Sequence, residues 1–105
     1  MAVELLTDEN FVTFVSSNNN VIVKYYADWC GTCKLIAPKF KRLSNDENHT
    51  HVSFVEVNAE VSPESRKLAG VDNLPYVAIF KNGVFAEGYA SGKEEIILEL
   101  ISKLN

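Results

Sequence analysis

The distribution of apolar and polar residues along the chain predicts five strands and four helices, in the order β-α-β-α-β-α-β-β-α. Residues 21–27 are apolar almost without interruption, which is typical of a central strand covered on both faces. Apolar runs at residues 3–6, 52–58, 76–80 and 84–89 predict the other four strands. Because helix-connected strands favour parallel pairing and a hairpin favours antiparallel pairing, we expect an α/β fold with a mixed central sheet flanked by helices on both faces.

The first two helices follow from apolar residues at helical spacing. Thr7 is predicted to cap the first helix, with Asp8 and Glu9 in the first turn, where the helix dipole favours negative charge. This helix should run to about Ser17, and the second helix should cover residues 34–43.

Three local signals organise the last part of the chain. Ser62, followed by a proline, predicts the start of a short third helix. Asn82-Gly83 predicts a hairpin, because both residues tolerate positive φ angles. Ser91 and Glu94 have the spacing of a capping box and predict the start of a final amphipathic helix. With neither a repeat nor a linker, residues 1–105 are expected to form a single domain.

Composition and charge argue against several classes of function. A formal net charge of -4 argues against a nucleic-acid surface or an anionic membrane as partner. The longest apolar run is far shorter than a membrane span, and the first residues lack the basic start and long apolar core of a secretory signal. We therefore expect a cytoplasmic monomer with no membrane contact and no nucleic-acid contact.

The strongest chemical signal is a pair of cysteines at the junction between a strand and a helix. Cys30 and Cys33 are the two cysteines of the sequence, and two residues separate them. The loop that they would close is too small to stabilise a fold much, so a redox or metal-binding role is favoured. At a helix N-terminus, free backbone N–H groups and the helix dipole favour an anion, and the thiolate is both an anion and a nucleophile. The pattern indicates thiol–disulfide exchange.

Four stretches of the chain together resemble the thioredoxin family, and the resemblance extends over essentially the whole length. They are Ala27-Asp28-Trp29-Cys30-Gly31-Thr32-Cys33-Lys34, Ile36-Ala37-Pro38, Leu74-Pro75 and Phe80-Lys81-Asn82-Gly83. The resemblance implies a thioredoxin fold and a protein-disulfide reductase. An exposed Cys30 would attack a substrate disulfide as the thiolate and form a mixed disulfide, and a shielded Cys33 would resolve it.

The resemblance also implies a substrate site and a source of electrons. Pro75 matches the family's cis-proline, which faces the cysteines and helps to hold the substrate backbone in an extended form. Trp29 would offer a flat apolar contact. The other residues assigned to the substrate are Gly31, Thr32, Leu74 and Tyr76. The partners would be disulfide-containing proteins and a separate thioredoxin reductase that returns electrons to the Cys30–Cys33 disulfide, with no bound cofactor and no metal.

The dipeptide between the cysteines departs from the family pattern. The usual dipeptide is Gly-Pro, whereas this chain has Gly31-Thr32. Thr32 keeps a backbone N–H that proline lacks. Because an additional donor near Cys30 would stabilise its thiolate, and with it the reduced form, we expect a less reducing couple than the Gly-Pro type.

Two charged residues interrupt the apolar strands and form a second departure. Thioredoxins usually have a buried aspartate at the position of Lys24 and a lysine at that of Glu56, so the two charges are exchanged here. One hypothesis is an inverted buried pair in which Glu56 has taken over proton transfer near Cys33. The alternative is a cross-strand ion pair with no catalytic share.

Three further residues bear on the substrate groove. Tyr76 replaces the small hydroxyl residue common after the cis-proline, and it could reshape the groove or pack against a helix. Gly88 and Gly92 are candidates for the glycine that completes the groove in the family. A turn or cap is the favoured role for Gly92.

Three other interpretations stay open. Cys30, Cys33, His49 and His51 could form a metal site, although the His-x-His spacing does not suit a zinc finger and ordinary surface histidines are the better account. The fold could be a binding module with vestigial cysteines. It could also act as an oxidase or isomerase, which the lack of a signal segment disfavours and the Gly-Thr dipeptide favours.

Overall fold

A computed structural model describes residues 3–104, which form a five-stranded sheet and four α-helices. The strands are β1 (Glu4–Leu6), β2 (Asn20–Tyr26), β3 (Ser53–Asn58), β4 (Tyr76–Lys81) and β5 (Val84–Tyr89). The helices are α1 (Phe11–Ser17), α2 (Gly31–Ser44), α3 (Pro63–Leu68) and α4 (Glu94–Ser102). A short 3-10 helix at Glu47–His49 is an element that the sequence pattern does not predict. The predicted order of strands and helices is confirmed.

The sheet has the strand order β1-β3-β2-β4-β5, with β2 at its centre. β1 and β2 both run parallel to β3, whereas β4 runs antiparallel to β2 and to β5. The predicted mixed sheet is therefore confirmed.

The expectation that helix-connected strands pair in parallel is wrong for β4. The connecting helix α3 has six residues and is about 9 Å long, whereas the six residues of β3 span about 20 Å. The helix therefore covers less than half of the length of β3 and, by itself, does not return the chain to the other end of the sheet. Accordingly, β3 ends with Asn58 beside Tyr26, and β4 begins with Tyr76 beside Tyr25, at the same end of β2. The cysteines follow β2 at this end.

Helices cover both faces of the sheet, and each face has its own apolar core. On one face, Phe11 and Val15 of α1 belong to a buried cluster with residues of β1 to β4. The Tyr25 hydroxyl donates a hydrogen bond to the Ser65 carbonyl (3.0 Å), which places α3 on this face too. On the other face, α2 and α4 contribute Ile36, Phe40, Leu43, Ile97, Leu100 and Ile101. Within the described residues, no helix has the length and apolar character needed to cross a bilayer.

The first helix begins later than predicted. α1 starts at Phe11 with Asn10 in the cap position, so Thr7 is not its N-cap and Asp8 and Glu9 are not in its first turn. Thr7 closes a separate turn instead, because its carbonyl accepts hydrogen bonds from the amides of Asn10 (3.1 Å) and Phe11 (2.9 Å). The carboxylate of Asp8 is then available to another helix.

Asp8 caps α3 from a distant part of the chain. Its carboxylate accepts hydrogen bonds from the amides of Glu64 (3.1 Å) and Ser65 (2.8 Å) and from the Ser65 hydroxyl (2.7 Å). Ser62 occupies the cap position as predicted, but its side chain makes no capping hydrogen bond within residues 3–104. The Ser65 hydroxyl, and then the two amides, hold the pKa of Asp8 below its ordinary value.

The two remaining local predictions have opposite outcomes. The capping box at Ser91 and Glu94 is wrong, because Lys93 occupies the cap position of α4. The Ser91 hydroxyl accepts a hydrogen bond from the Lys93 amide (3.1 Å) and so forms a turn ahead of the helix. The hairpin is confirmed, since the φ angles of Asn82 and Gly83 are 53° and 85°.

Candidate active site

Cys30 lies in the cap position of α2, at the end of the short segment that follows β2. The helix begins at Gly31, earlier than predicted, so that Cys33 falls in its first turn. The Cys33 amide donates a hydrogen bond to Cys30 Sγ (3.1 Å), and the Cys30 amide donates to the Ala27 carbonyl (3.1 Å). The Cys30 sulfur thus takes the place of the oxygen that usually caps a helix. With Cys30 as its cap, α2 starts at the next residue, Gly31.

Cys30 and Cys33 are joined by a disulfide, with their Cα atoms 5.3 Å apart. One helical turn gives this separation, which lets the bond open and close with little backbone movement. Both residues are buried, with 5% of Cys30 and 3% of Cys33 exposed. The expectation of an exposed Cys30 is therefore wrong for the disulfide form, because Tyr26 and Leu74 pack against the cysteine pair.

Three distant segments meet beside the disulfide. A Cβ atom on Gly92 would lie 3.4 Å from Thr32 Cγ2 and 3.5 Å from Pro75 Cγ. The Leu74–Pro75 peptide bond is cis, as the resemblance implies. We call Trp29, Thr32, Leu74, Pro75 and Gly92 the groove residues. Gly92 thus borders the site. No local sequence signal distinguishes it from Gly88, the other candidate for the glycine that completes the groove.

The exposed part of the site includes a large apolar ring. Trp29, immediately before Cys30, exposes 67% of its surface. Gly31 and Thr32 are also exposed at the start of α2. A large exposed aromatic ring beside a buried disulfide marks a surface that another protein can contact.

Tyr76 packs in the core and not in the groove. Its ring lies at 72° to that of Tyr25, with 6.2 Å between the ring centroids. A Cβ atom on Gly88 would lie 2.6 Å from Tyr76 Cε1, so Gly88 provides the space that the ring needs. Burial raises the pKa of Tyr76. The side chain of Tyr76 therefore forms no part of a substrate surface, although its main chain follows Pro75.

Lys24 and Glu56 form the ion pair that the sequence suggests. They are directly paired on the adjacent parallel strands β2 and β3, and Lys24 Nζ lies 3.1 Å from Glu56 Oε1. The side chain of Lys24 is 6% exposed and that of Glu56 is 29% exposed. The catalytic share of the pair stays a prediction.

A cavity of about 240 Å³ connects this pair to the second cysteine. Cys33, Lys24 and Glu56 all line it. The other lining residues are Tyr26, Ala27, Asp28, Lys34 and Ala37. A volume of this size, with charged groups such as those of Lys24 and Glu56 in its lining, has room for several water molecules, each of which takes roughly 30 Å³ in the liquid. Water in this cavity would lie between Cys33 and the pair.

The alternative of a metal site finds no support in the geometry. His49 Nδ1 forms a hydrogen bond with the Leu43 carbonyl (2.9 Å), and its ring lies beside Phe54. Among residues 3–104, no three His, Cys, Asp or Glu side chains are grouped as a metal ion requires. The sulfurs of Cys30 and Cys33 are bonded to each other.

Comparisons with known proteins agree with this geometry. The family model described as "Thioredoxin" matches residues 2–103. "Thioredoxin" of Mycobacterium bovis is 33% identical over 98 residues, which cover 90% of this chain and 84% of the relative. "Probable protein disulfide-isomerase A4" of Caenorhabditis elegans is 34% identical over 93 residues, but the chain spans 15% of that relative's length.

A solved structure shows the same fold. It is described as a complex of "ferredoxin: thioredoxin reductase and thioredoxin f2". One of its chains superposes with a TM-score of 0.88 at 26% identity, covering 97% of this chain and 94% of that one. The fold predicted from the sequence is therefore confirmed.

Proposed function

Because this chain belongs to the thioredoxin family and is a protein thiol–disulfide oxidoreductase, we propose that Cys30 is its nucleophile and Cys33 its resolving thiol. The observation that supports this assignment is the disulfide at the start of α2, where the Cys33 amide donates to Cys30 Sγ. The same amide would stabilise a Cys30 thiolate, and the helix dipole would add to the effect.

The reaction proceeds in two exchanges. The Cys30 thiolate attacks one sulfur of a substrate disulfide, forms a mixed disulfide and displaces the other substrate sulfur as a thiolate. The Cys33 thiolate then attacks Cys30 Sγ, forms the Cys30–Cys33 disulfide and displaces the remaining substrate sulfur. Each released thiolate takes up a proton. Two electrons pass from the protein to the substrate.

The groove residues hold the substrate during these steps. Leu74 packs against the cysteine pair and is joined to Pro75 by the cis peptide bond. Trp29, the residue before Cys30, offers an exposed ring. A Cβ atom added to Gly31 would meet no heavy atom of the described residues within 4 Å, so a substrate chain can approach this backbone closely. We expect an extended, partly apolar substrate segment around the disulfide.

Glu56 accepts the proton of the Cys33 thiol. The cavity behind Cys33 reaches the Glu56 carboxylate, and Lys24 holds that carboxylate in place at 3.1 Å. Loss of this proton generates the thiolate that resolves the mixed disulfide.

A separate reductase returns the electrons, and disulfide-containing proteins are the substrates. The support for this partner is the likeness to a chain solved in complex with "ferredoxin: thioredoxin reductase". The chain itself needs no bound cofactor for the exchange, because both sulfurs belong to the protein. A monomeric state and a cytoplasmic location stay predictions.

Reduction of insulin by dithiothreitol tests this function. The chain should accelerate the precipitation of the insulin B chain, and Cys30→Ser should abolish the acceleration. A matched substitution of an exposed residue further along α2, Lys39→Ala, should leave it unchanged. Equal rates with and without the protein would overturn the proposal and favour a binding module.

A further inference from the structure

We propose that Lys24 is the counter-ion of the Cys33 thiolate, so that a buried cation makes the resolving cysteine ionise readily. The proposal rests on Cys33 as the resolving thiol and adds a role for the ammonium group. Glu56 receives the proton, and Lys24 then exchanges its carboxylate partner for the new thiolate.

The position of Lys24 in β2 directs its side chain beneath α2. Residues 22, 24 and 26 lie on the same face of the strand, because side chains alternate along it. Ile22 belongs to the core with Ile36 and Phe40 of α2. Lys24 Nζ lies 5.6 Å from the centre of the Phe40 ring and 5.7 Å from that of Tyr26. The ammonium is therefore held between the sheet and α2.

The helix leaves room for the ammonium at Ala37. Cys33 and Ala37 are one turn apart and lie on the same side of α2. The cavity of about 240 Å³ contains both residues in its lining, and a second cavity of about 310 Å³ shares Ala37, Lys24 and Glu56 with it. A larger residue at position 37 would take up part of the cavity that Lys24 and Cys33 both line, so the small side chain of Ala37 helps to keep this cavity open.

The two charges of the pair are not equivalent at Cys33. The Lys24 side chain is 6% exposed, whereas the Glu56 side chain is 29% exposed and reaches more water. Water screens the charge of Glu56 more strongly than that of Lys24. The ammonium is therefore the less screened of the two charges, and a positive charge near the sulfur favours the thiolate over the thiol.

Other ionisable groups around the cavity are more hydrated. Asp28 and Lys34 line it from the segment before α2 and from α2 itself, and both are exposed. Tyr26 lines it from β2, and burial, with help from Glu56 and Asp28, raises the pKa of its phenol, which stays neutral. Asp28 and Lys34 have opposite charges. Lys24 is thus the most deeply buried charge among the residues that line the cavity with Cys33.

The step conserves charge and protons. The Cys33 thiol transfers its proton to the Glu56 carboxylate, directly or through water in the cavity. This gives a thiolate and a carboxylic acid, and the ammonium of Lys24 keeps its charge throughout. When the thiolate attacks the mixed disulfide, Glu56 returns its proton to the departing substrate sulfur or to water. The carboxylate then pairs with Lys24 again, as in the disulfide form.

Alkylation of Cys33 in a reduced Cys30→Ser background tests the proposal without any substrate. The rate with iodoacetamide is measured against pH in the parent and in a charge-swapped variant, Lys24→Glu with Glu56→Lys. The swap keeps an ion pair but puts an anion at the buried position. We expect the pH midpoint of alkylation to rise by at least about one unit, so that alkylation at pH 7 slows about tenfold.

Two further variants keep the test decisive if the swapped protein does not fold. Glu56→Gln removes the anion and keeps the cation, so its midpoint should fall or stay unchanged. Lys41→Met removes an exposed cation that lines the second cavity and should leave the midpoint unchanged. A midpoint that rises in Glu56→Gln, or that does not move in the folded swap, would overturn the role of Lys24. Failure of insulin reduction by the parent would instead overturn the proposed function.

Discussion

Lys24 and Glu56 face each other across two parallel strands, with 3.1 Å between Nζ and Oε1, but they are buried to different depths. Loss of Lys24 should therefore lower the free energy of unfolding less than loss of Glu56. Glu56→Gln leaves a buried ammonium without its carboxylate, whereas Lys24→Met leaves a carboxylate that water can reach.

We expect Glu56→Gln to lower the free energy of unfolding by about 2 kcal/mol, less than the loss of a partner in a fully buried pair. Lys24→Met should lower the free energy of unfolding by less than about 1 kcal/mol, because the methionine side chain can pack against Phe40. Urea unfolding at pH 7 measures both. A greater loss of stability in Lys24→Met would mean that Glu56 carries the larger burial penalty.

Gly88→Ala should destabilise the protein, and Gly92→Ala should not. The new Cβ would lie 2.6 Å from Tyr76 Cε1 at position 88, but at ordinary contact distances of 3.4 Å and 3.5 Å at position 92. Forcing Tyr76 to move should cost roughly 1–3 kcal/mol. Urea unfolding of the two variants side by side checks this, and equal stabilities would mean that Tyr76 moves aside freely.

Asp8→Asn should destabilise the protein at neutral pH but not in acid. Hydrogen bonds from Ser65 and Glu64 hold the pKa of Asp8 below its ordinary value of 3.8 in the folded state. A carboxyl group of this kind contributes stability above its unfolded-state pKa and loses it as the pH falls through the folded-state value. The difference in thermal midpoint between the parent and Asp8→Asn should therefore shrink below about pH 4.

The neighbouring exposed carboxylate provides the control for Asp8. Glu9→Gln should leave the thermal midpoint close to that of the parent at every pH. A loss of stability in Asp8→Asn that persists unchanged in acid would show that the carboxylate charge is not what caps α3.

Thr32→Pro should make the Cys30–Cys33 couple more reducing. Proline removes the Thr32 amide, which is one of the backbone donors in the first turn of α2, the helix that Cys30 caps. The reduced form then loses part of the stabilisation of its thiolate. Equilibration with glutathione at fixed ratios measures the fraction of disulfide, which should rise in Thr32→Pro. Leu35→Ala, an exposed change in the next part of α2, should leave it unchanged.

The sequence pattern predicts most of the fold because its signals are local. The apolar run at residues 21–27 predicts a central strand, and β2 is indeed the middle of the sheet. Asn82-Gly83 determines its own hairpin through two positive φ angles. The direction of β4 cannot be predicted from helix connections alone, since it depends on the end of the sheet at which the connection through α3 leaves the chain.

Caps and site walls are harder to predict because their partners are distant in the sequence. The carboxylate that caps α3 comes from Asp8, more than fifty residues away. Gly92 meets Thr32 and Pro75 only when three segments come together. The pairing of Lys24 with Glu56 follows from their places in neighbouring strands. Their unequal burial depends on α2, whose Phe40 ring lies 5.6 Å from Lys24 Nζ.

Trapping of a mixed disulfide tests the central claim, that Cys30 attacks the substrate and Cys33 resolves it. Reduced Cys33→Ser protein is mixed with a disulfide-containing protein and analysed without reductant, beside reduced Cys30→Ser protein. We expect a covalent complex through Cys30 in the first mixture and almost none in the second. A complex that forms mainly with Cys30→Ser, or with neither variant, would contradict the account.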